Sequence, residues 1–191
     1  MKKGFLYILG IGAAVLIAVS LFRSHAKNEA NVSGNNILVA YFSATGTTAG
    51  IANELAYAAG ADLFEIKPEQ VYTADDLDWH KDQSRSSIEM SNRASRPKIA
   101  SRIENMEQYN VVFVGFPIWW GREPAIIDTF MESYDFAGKT VIPFATSGSS
   151  DIGDAGANMQ SLAPDATVLT GKRFPADVPG QELKTWAGEW L

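Results

Sequence analysis

Ile37-Leu38-Val39-Ala40-Tyr41-Phe42-Ser43-Ala44-Thr45-Gly46-Thr47-Thr48 is the stretch on which the fold turns. Six apolar residues, too few for a helix, run straight into a Ser/Thr/Gly cluster. Ile51, Ala52, Leu55, Ala56 and Ala59 then recur at helical spacing. The pattern reads as strand, turn, helix. A helix that starts in such a cluster presents backbone N–H groups with no intrahelical partner and the positive end of its dipole, and Gly46 lets the backbone wrap closely. Ser43, Thr45, Thr47 and Thr48 add hydroxyl donors without adding charge, which suits a phosphomonoester. The plain alternative is that these residues only cap the helix.

Working outward, Ala61 to Ile66 reads as a second strand closed by Pro68, and Val111 to Phe116 as a third. The third is apolar at nearly every position, as a central strand covered on both faces must be. Pro124 suits the first turn of a helix whose apolar positions are Ile127, Phe130, Met131 and Tyr134. Thr140 to Ala145 gives a fourth strand and Ala166 to Leu169 a fifth, while Leu183, Trp186, Ala187 and Trp190 share one face of a closing helix. The stretch 71–101 mixes Tyr72, Trp79 and Ile88 with polar residues and reads as a helix plus a long loop. Strands alternating with helices predict an α/β domain with a doubly wound parallel sheet, whose ligand lies outside the carboxyl ends of the strands at the switch in strand order.

Residues 1–26 stand apart. Lys2 and Lys3 precede an uncharged apolar run from Phe5 to Phe22, followed by Arg23. As a helix that run is roughly 27 Å long, close to the ~30 Å hydrocarbon core, so it can span a membrane. Ser24 and Ala26 also supply the small residues that a signal peptidase reads. The sequence leaves both fates open, a removed signal peptide or a transmembrane anchor, and either predicts an exported domain, secreted or membrane-anchored, that works outside the cytoplasm. Residues 27–36, polar with Gly and Asn, form a linker, and 37–191 form the domain. Setting aside Lys2, Lys3 and Arg23 leaves 13 Lys and Arg against 22 Asp and Glu, a net charge of −9. Such a surface repels nucleic acid and anionic lipid and suits solubility or a basic protein partner. With no cysteine, disulfides, thiolate metal sites and lipidated-Cys anchors are excluded.

Two more loops follow predicted strands. Pro117-Ile118-Trp119-Trp120-Gly121 leaves the third strand, where an indole face could stack on a flat ring; core packing or partner contact is the alternative for either tryptophan. Thr146-Ser147-Gly148-Ser149-Ser150 leaves the fourth, with polar groups able to bond a ring edge or merely to face solvent.

Taken together, the segments SATGTT (43–48), FPIWWGREPAIIDTF (116–130) and GKTVIPFATSGSS (138–150) resemble the flavodoxin-like family, and especially members with a PIWWG loop. The resemblance runs from Ile37 to about the C-terminus. It implies a five-stranded sheet in the order 2-1-3-4-5 and flavin mononucleotide (FMN) as cofactor. It also implies that Ser43, Thr45, Gly46, Thr47 and Thr48 hold the phosphate, while Pro117, Ile118, Trp119, Trp120, Gly121, Thr146, Ser147, Gly148 and Ser149 hold the isoalloxazine ring. Thr47 stands where many flavodoxins have Asn, the long 71–101 segment departs from short flavodoxins and is expected to cover the cofactor, and the export segment is atypical of cytoplasmic members.

The function this predicts is FMN-mediated electron transfer to a redox protein or small-molecule acceptor. The alternative is an FMN-dependent reductase that passes hydride from NAD(P)H to a quinone-type acceptor. An acidic surround disfavours added negative charge on the reduced flavin, and each ~1.4 kcal/mol of that penalty lowers a one-electron potential by about 59 mV. A serine hydrolase is excluded, since the two histidines are His25 in the export segment and His80 in the long loop, and no G-x-S-x-G elbow occurs. Asp75, Asp76 and Asp78 read as a solvated acidic turn, and Arg93, Arg96, Lys98 and Arg102 as a solvated basic face, with a docking patch or a contact to a nicotinamide phosphate as the alternative.

Overall fold

A computed structural model describes residues 36–191. The segment 1–26, expected to direct export, and the expected linker up to residue 35 lie outside the described residues.

β1 (Ile37–Tyr41) is buried at every position because it is covered from both sides. It pairs in parallel with β2 (Asp62–Glu65) on one flank and with β3 (Val111–Pro117) on the other, and β3 pairs in parallel with β4 (Thr140–Thr146). The order β2-β1-β3-β4-β5 matches the expected 2-1-3-4-5. Right-handed crossovers then make the sheet grow in opposite directions from β1 and β3, which opens a crevice at their carboxyl ends.

Side chains alternate across this sheet, so each strand feeds two cores. Leu38, Ala40, Phe42, Val112, Val114 and Phe116 face α3 (Ala125–Ser133) and α4 (Ala155–Leu162). Ile37, Val39, Tyr41, Phe113, Ile142 and Phe144 face α1 (Thr47–Ala59) and α5 (Gly180–Ala187). The predicted 71–101 stretch holds α2 (Arg85–Ser91), capped by Ser84 Oγ accepting from the Ser87 N–H, with loops on either side.

Three details differ from the sequence reading. The fifth position holds two short strands, β5 (Thr167–Val168) and β6 (Lys172–Phe174), both parallel to β4. Between the pairs Val141↔Val168 and Phe144↔Lys172 the edge advances four residues while β4 advances three, so one extra residue bulges out. The bulge faces Pro143, which has no N–H to donate, and a side chain on Gly171 (φ +82°) would run into the Pro143 carbonyl. The crossover helix α4 was not anticipated; its Gly/Ala-rich sequence carries a weak apolar stripe of Ala155 and Met159. Trp190 lies beyond the end of α5, while Leu183, Trp186 and Ala187 form its buried face as expected.

Candidate functional site

At the end of β1 the chain turns through Ser43–Gly46 and enters α1. Gly46 is the residue before the helix, with φ +93°, a left-handed conformation that costs an L side chain about 1–2 kcal/mol. Among the described residues no side chain caps the helix, so its first-turn N–H groups remain available, and the Gly46 N–H itself is taken by Ser43 Oγ at 3.1 Å. Thr45, Gly46 and Thr47 are exposed at this end. An uncapped helix start ringed by hydroxyls is a donor set for a phosphate dianion. Thr48 sits differently: its side chain is buried, and its Oγ1 lies 2.8 Å from Thr146 Oγ1. That hydroxyl pair joins the first loop to the third beneath the crevice.

The second loop is a two-residue hairpin turn. Trp119 N–H donates to the Arg122 carbonyl at 2.9 Å, and Arg122 N–H to the Trp119 carbonyl at 3.1 Å. Between these rungs Trp120 (φ +48°) and Gly121 (φ +77°) both take left-handed conformations, as a type I′ turn requires. For a bulky residue such as Trp120 that is strained, costing on the order of 1 kcal/mol. Trp119 packs edge-on against Phe42 and Tyr72, with ring centroids 5.6 and 5.3 Å away. Trp120 is 51% exposed. Burial, and secondarily the hydrogen bond to Glu89, raises the Tyr72 hydroxyl well above the ordinary tyrosine range, so the ring beneath Trp119 stays neutral. Ile118 N–H donates to the Thr146 carbonyl at 3.0 Å, which ties the second loop to the third, where Ser147 Oγ accepts from the Ser149 and Ser150 N–H groups.

These loops border two adjoining lobes of one crevice that share Thr45 and Pro117. The first, about 450 Å³, is lined by Ala44, Leu77, Trp79, Ile118, Trp119 and Trp120 among others. The second, about 500 Å³, is lined by Thr47, Thr146, Ser147 and Gly148 on one side and Pro175–Asp177 on the other. Both volumes fall in the range of small-molecule sites. Among the described residues lining the lobes, Asp177 is the only charged one. The structure thus brings the three predicted loops to one crevice. It also brings Trp79, 66% exposed, from the long segment expected to cover a ligand.

Behind the tryptophan turn lies a charge cluster that the sequence reading missed. Arg122 Nη2 is 2.6 Å from both Glu123 Oε1 and Asp128 Oδ2, and Asn158 Nδ2 donates to Glu123 at 3.3 Å. Burial pushes the Asp128 carboxyl up to about 6 despite Arg122 beside it, with the Glu123 charge adding to the rise. An acid in a first helical turn ordinarily reads as a partner of the helix dipole, so Asp128 gave no signal. Its placement among Ile126, Ile127, Phe130 and Met131 was the available clue. Arg96 of the basic face is likewise not free, since it holds Glu132 through two bonds of 2.7 Å.

Fold and crevice define a class: a doubly wound α/β domain with an open crevice at the switch point of its sheet, bordered by an uncapped helix start in one lobe and by tryptophans in the other. The chain belongs to the flavodoxin family, whose model matches residues 36–190. A Bacteroides eggerthii protein assigned as a flavoprotein is 47% identical, with 80% of this chain and 96% of that chain covered and a TM-score of 0.75. A Bacteroides uniformis protein with the same assignment is 49% identical over 80% of this chain and 97% of its own, with a TM-score of 0.76. A Lactobacillus acidophilus flavoprotein solved in complex with FMN shares the fold at 22% identity and a TM-score of 0.59, over 79% of this chain and 97% of that one. Among proteins of curated function, none matches this chain.

Proposed function

We propose that this protein binds FMN in the crevice and serves as an electron carrier. The observation that carries the reading is the continuity of the two donor sets. An uncapped helix start with Thr45 and Thr47 opens into a lobe walled by Trp79, Trp119 and Trp120, and Thr45 borders both lobes. When bound, FMN supplies reversible storage of electrons; the chain's part is to hold it and set its field. The Thr47 N–H and the hydroxyls of Ser43, Thr45 and Thr47 hold the phosphate, and the Trp120 indole lies against the ring. The Pro117 and Thr146–Ser149 backbones border the ring, with Thr48 bracing Thr146 from beneath.

The carrier reading is favoured over the NAD(P)H-dependent reductase by the charge of the lining. Arg93, Arg96, Lys98 and Arg102 line neither lobe, so that basic face is not placed to meet the phosphates of a nicotinamide dinucleotide there. A lining whose one charged member is Asp177 also disfavours added charge on the flavin, and the expected midpoint potential is below that of free FMN. The same acidic surface suits a basic redox partner. The apolar segment 1–26 is proposed to carry the domain out of the cytoplasm, and N-terminal sequencing of membrane and soluble fractions distinguishes an anchor from a cleaved signal.

The test is a titration. Purified protein should be yellow or become so with added FMN, should reduce reversibly in a potentiometric titration, and should not turn over NAD(P)H with a quinone. Rapid NAD(P)H oxidation would transfer the assignment to the reductase; a colourless protein that ignores FMN would remove both readings.

A further inference from the structure

The charge cluster behind the tryptophan turn has no part in lining the crevice, yet it grips the residue that closes the turn. Arg122 exchanges both backbone hydrogen bonds with Trp119 and so forms the lower rung of the hairpin that presents Trp120. Its guanidinium runs inward, with Nε 3.0 Å and Nη2 2.6 Å from Glu123 Oε1, and Nη2 2.6 Å from Asp128 Oδ2. Glu123 is fully buried and is bonded to Asn158 of α4; Asp128 belongs to α3 and has Arg96 Nη1 at 3.8 Å. One turn is therefore fastened to two helices by buried charge.

Stability alone does not account for such a cluster. Buried ion pairs lose about as much in desolvation as they gain in attraction, and apolar packing would serve as well. Here the solvation is visibly incomplete, because Asp128 Oδ1 is buried with no hydrogen-bond partner among the described residues. What charge–charge geometry does better than packing is fix a direction, and the side chain beside it needs one. Trp120 holds a left-handed backbone at φ +48°, which an L residue of its size keeps only where the surroundings over-determine it.

We propose that Arg122, clamped by Glu123 and Asp128, is a positioning residue that holds Trp120 in its left-handed pose, so that the cluster governs FMN binding through the indole without touching the cofactor. The inference rests on the reading of the crevice as an FMN site. Without the clamp, Trp120 relaxes to negative φ and its indole swings from the lobe. The guanidinium itself is occupied by two carboxylates and offers the flavin nothing directly.

A double-mutant cycle on the full chain tests this, with FMN affinity read by quenching of flavin fluorescence and the ring's seat by visible circular dichroism. Arg122→Gln should weaken FMN binding about tenfold in the wild-type background, and by no more than about twofold when Trp120 is already Ala. The dichroism of Arg122→Gln should resemble that of Trp120→Ala. Equal losses in both backgrounds, or no loss in either, would overturn the proposal. Should Arg122→Gln not fold, Asn158→Ala loosens Glu123 alone and takes its place in the cycle with the same coupling expected. If the wild-type chain binds no FMN, the proposed function fails by itself. The positioning claim is then read from Trp120 emission in the free protein, which Arg122→Gln must shift in the wild-type background and leave unchanged in Trp120→Ala. An unshifted spectrum overturns it.

Discussion

Trp119 and Trp120 are chemically identical neighbours with opposite employment. Trp119 ends β3's approach with an ordinary backbone and drives its indole into Phe42 and Tyr72, while Trp120 sits one residue further on, beyond a reversal of φ, and keeps half its surface exposed at the crevice. The difference comes from the turn. A type I′ hairpin sends successive side chains in divergent directions, so Trp119 packs against the core and shows the crevice only part of its surface, while Trp120 stands half exposed at the crevice. The pair teaches that an exposed aromatic residue is a functional statement when its neighbour shows that burial was within reach.

The comparison breaks most visibly at Trp119. Trp119→Ala should lower the unfolding free energy by about 3 kcal/mol, toward the lower end of large-to-small aromatic substitutions because the side chain is not fully buried. Chemical denaturation checks this, and a loss no larger than that of Trp120→Ala would mean that the aromatic cluster with Phe42 and Tyr72 does not form.

What holds the turn to the body is tested by pH. The Asp128 carboxyl titrates near 6 in the folded protein, above its value in the unfolded chain, because burial disfavours its charge. The native state therefore binds the extra proton, and this residue's contribution to stability is greatest at low pH and falls as pH rises toward and through 6. Between pH 4.5 and 7.5 the wild type should lose on the order of 2 kcal/mol relative to Asp128→Asn, as measured by paired denaturant titrations. A gap between the two proteins that does not move with pH would place Asp128 in a more solvated setting than its burial implies.

Trp120 reverses the pattern of Trp119. Trp120→Ala should cost stability less than about 1 kcal/mol, since an exposed side chain has little packing to lose, but should weaken FMN binding about tenfold. Fluorescence quenching titrations give the binding constant. Equal affinity for the variant and the wild type would move the ring away from the second loop.

The sequence carried the fold well where periodicity was strong. β1, β3 and β4 are buried on both faces, and their apolar runs stand out within one residue of the observed limits. It failed where tertiary context overrode pattern: α4 is built from small residues with a faint stripe, and the sheet edge splits because Pro143 cannot donate and Gly171 must lie flat against it. The three site loops were legible because strand ends in a doubly wound sheet converge. The Arg122 cluster was not, since its members come from the turn, α3 and α4 and look in sequence like ordinary surface charges. Which tryptophan packs against Phe42 and Tyr72 and which stays exposed at the crevice was equally hidden, because it depends on the sign of one φ angle.

The smallest effect isolates that angle. Trp120→Gly and Trp120→Ala both remove the indole, so both should bind FMN with the same reduced affinity. They differ in the backbone alone. Alanine in a left-handed conformation carries a steric cost of about 1–2 kcal/mol that glycine escapes, while glycine gives up roughly 0.5–1 kcal/mol of chain entropy on folding. The first term is the larger, so the Gly variant should be the more stable of the two by about 0.5 kcal/mol, measured by replicate denaturant titrations. Were Ala the more stable, Trp120 would not hold φ at +48°, and the divergence of the two tryptophans would need another cause than the turn.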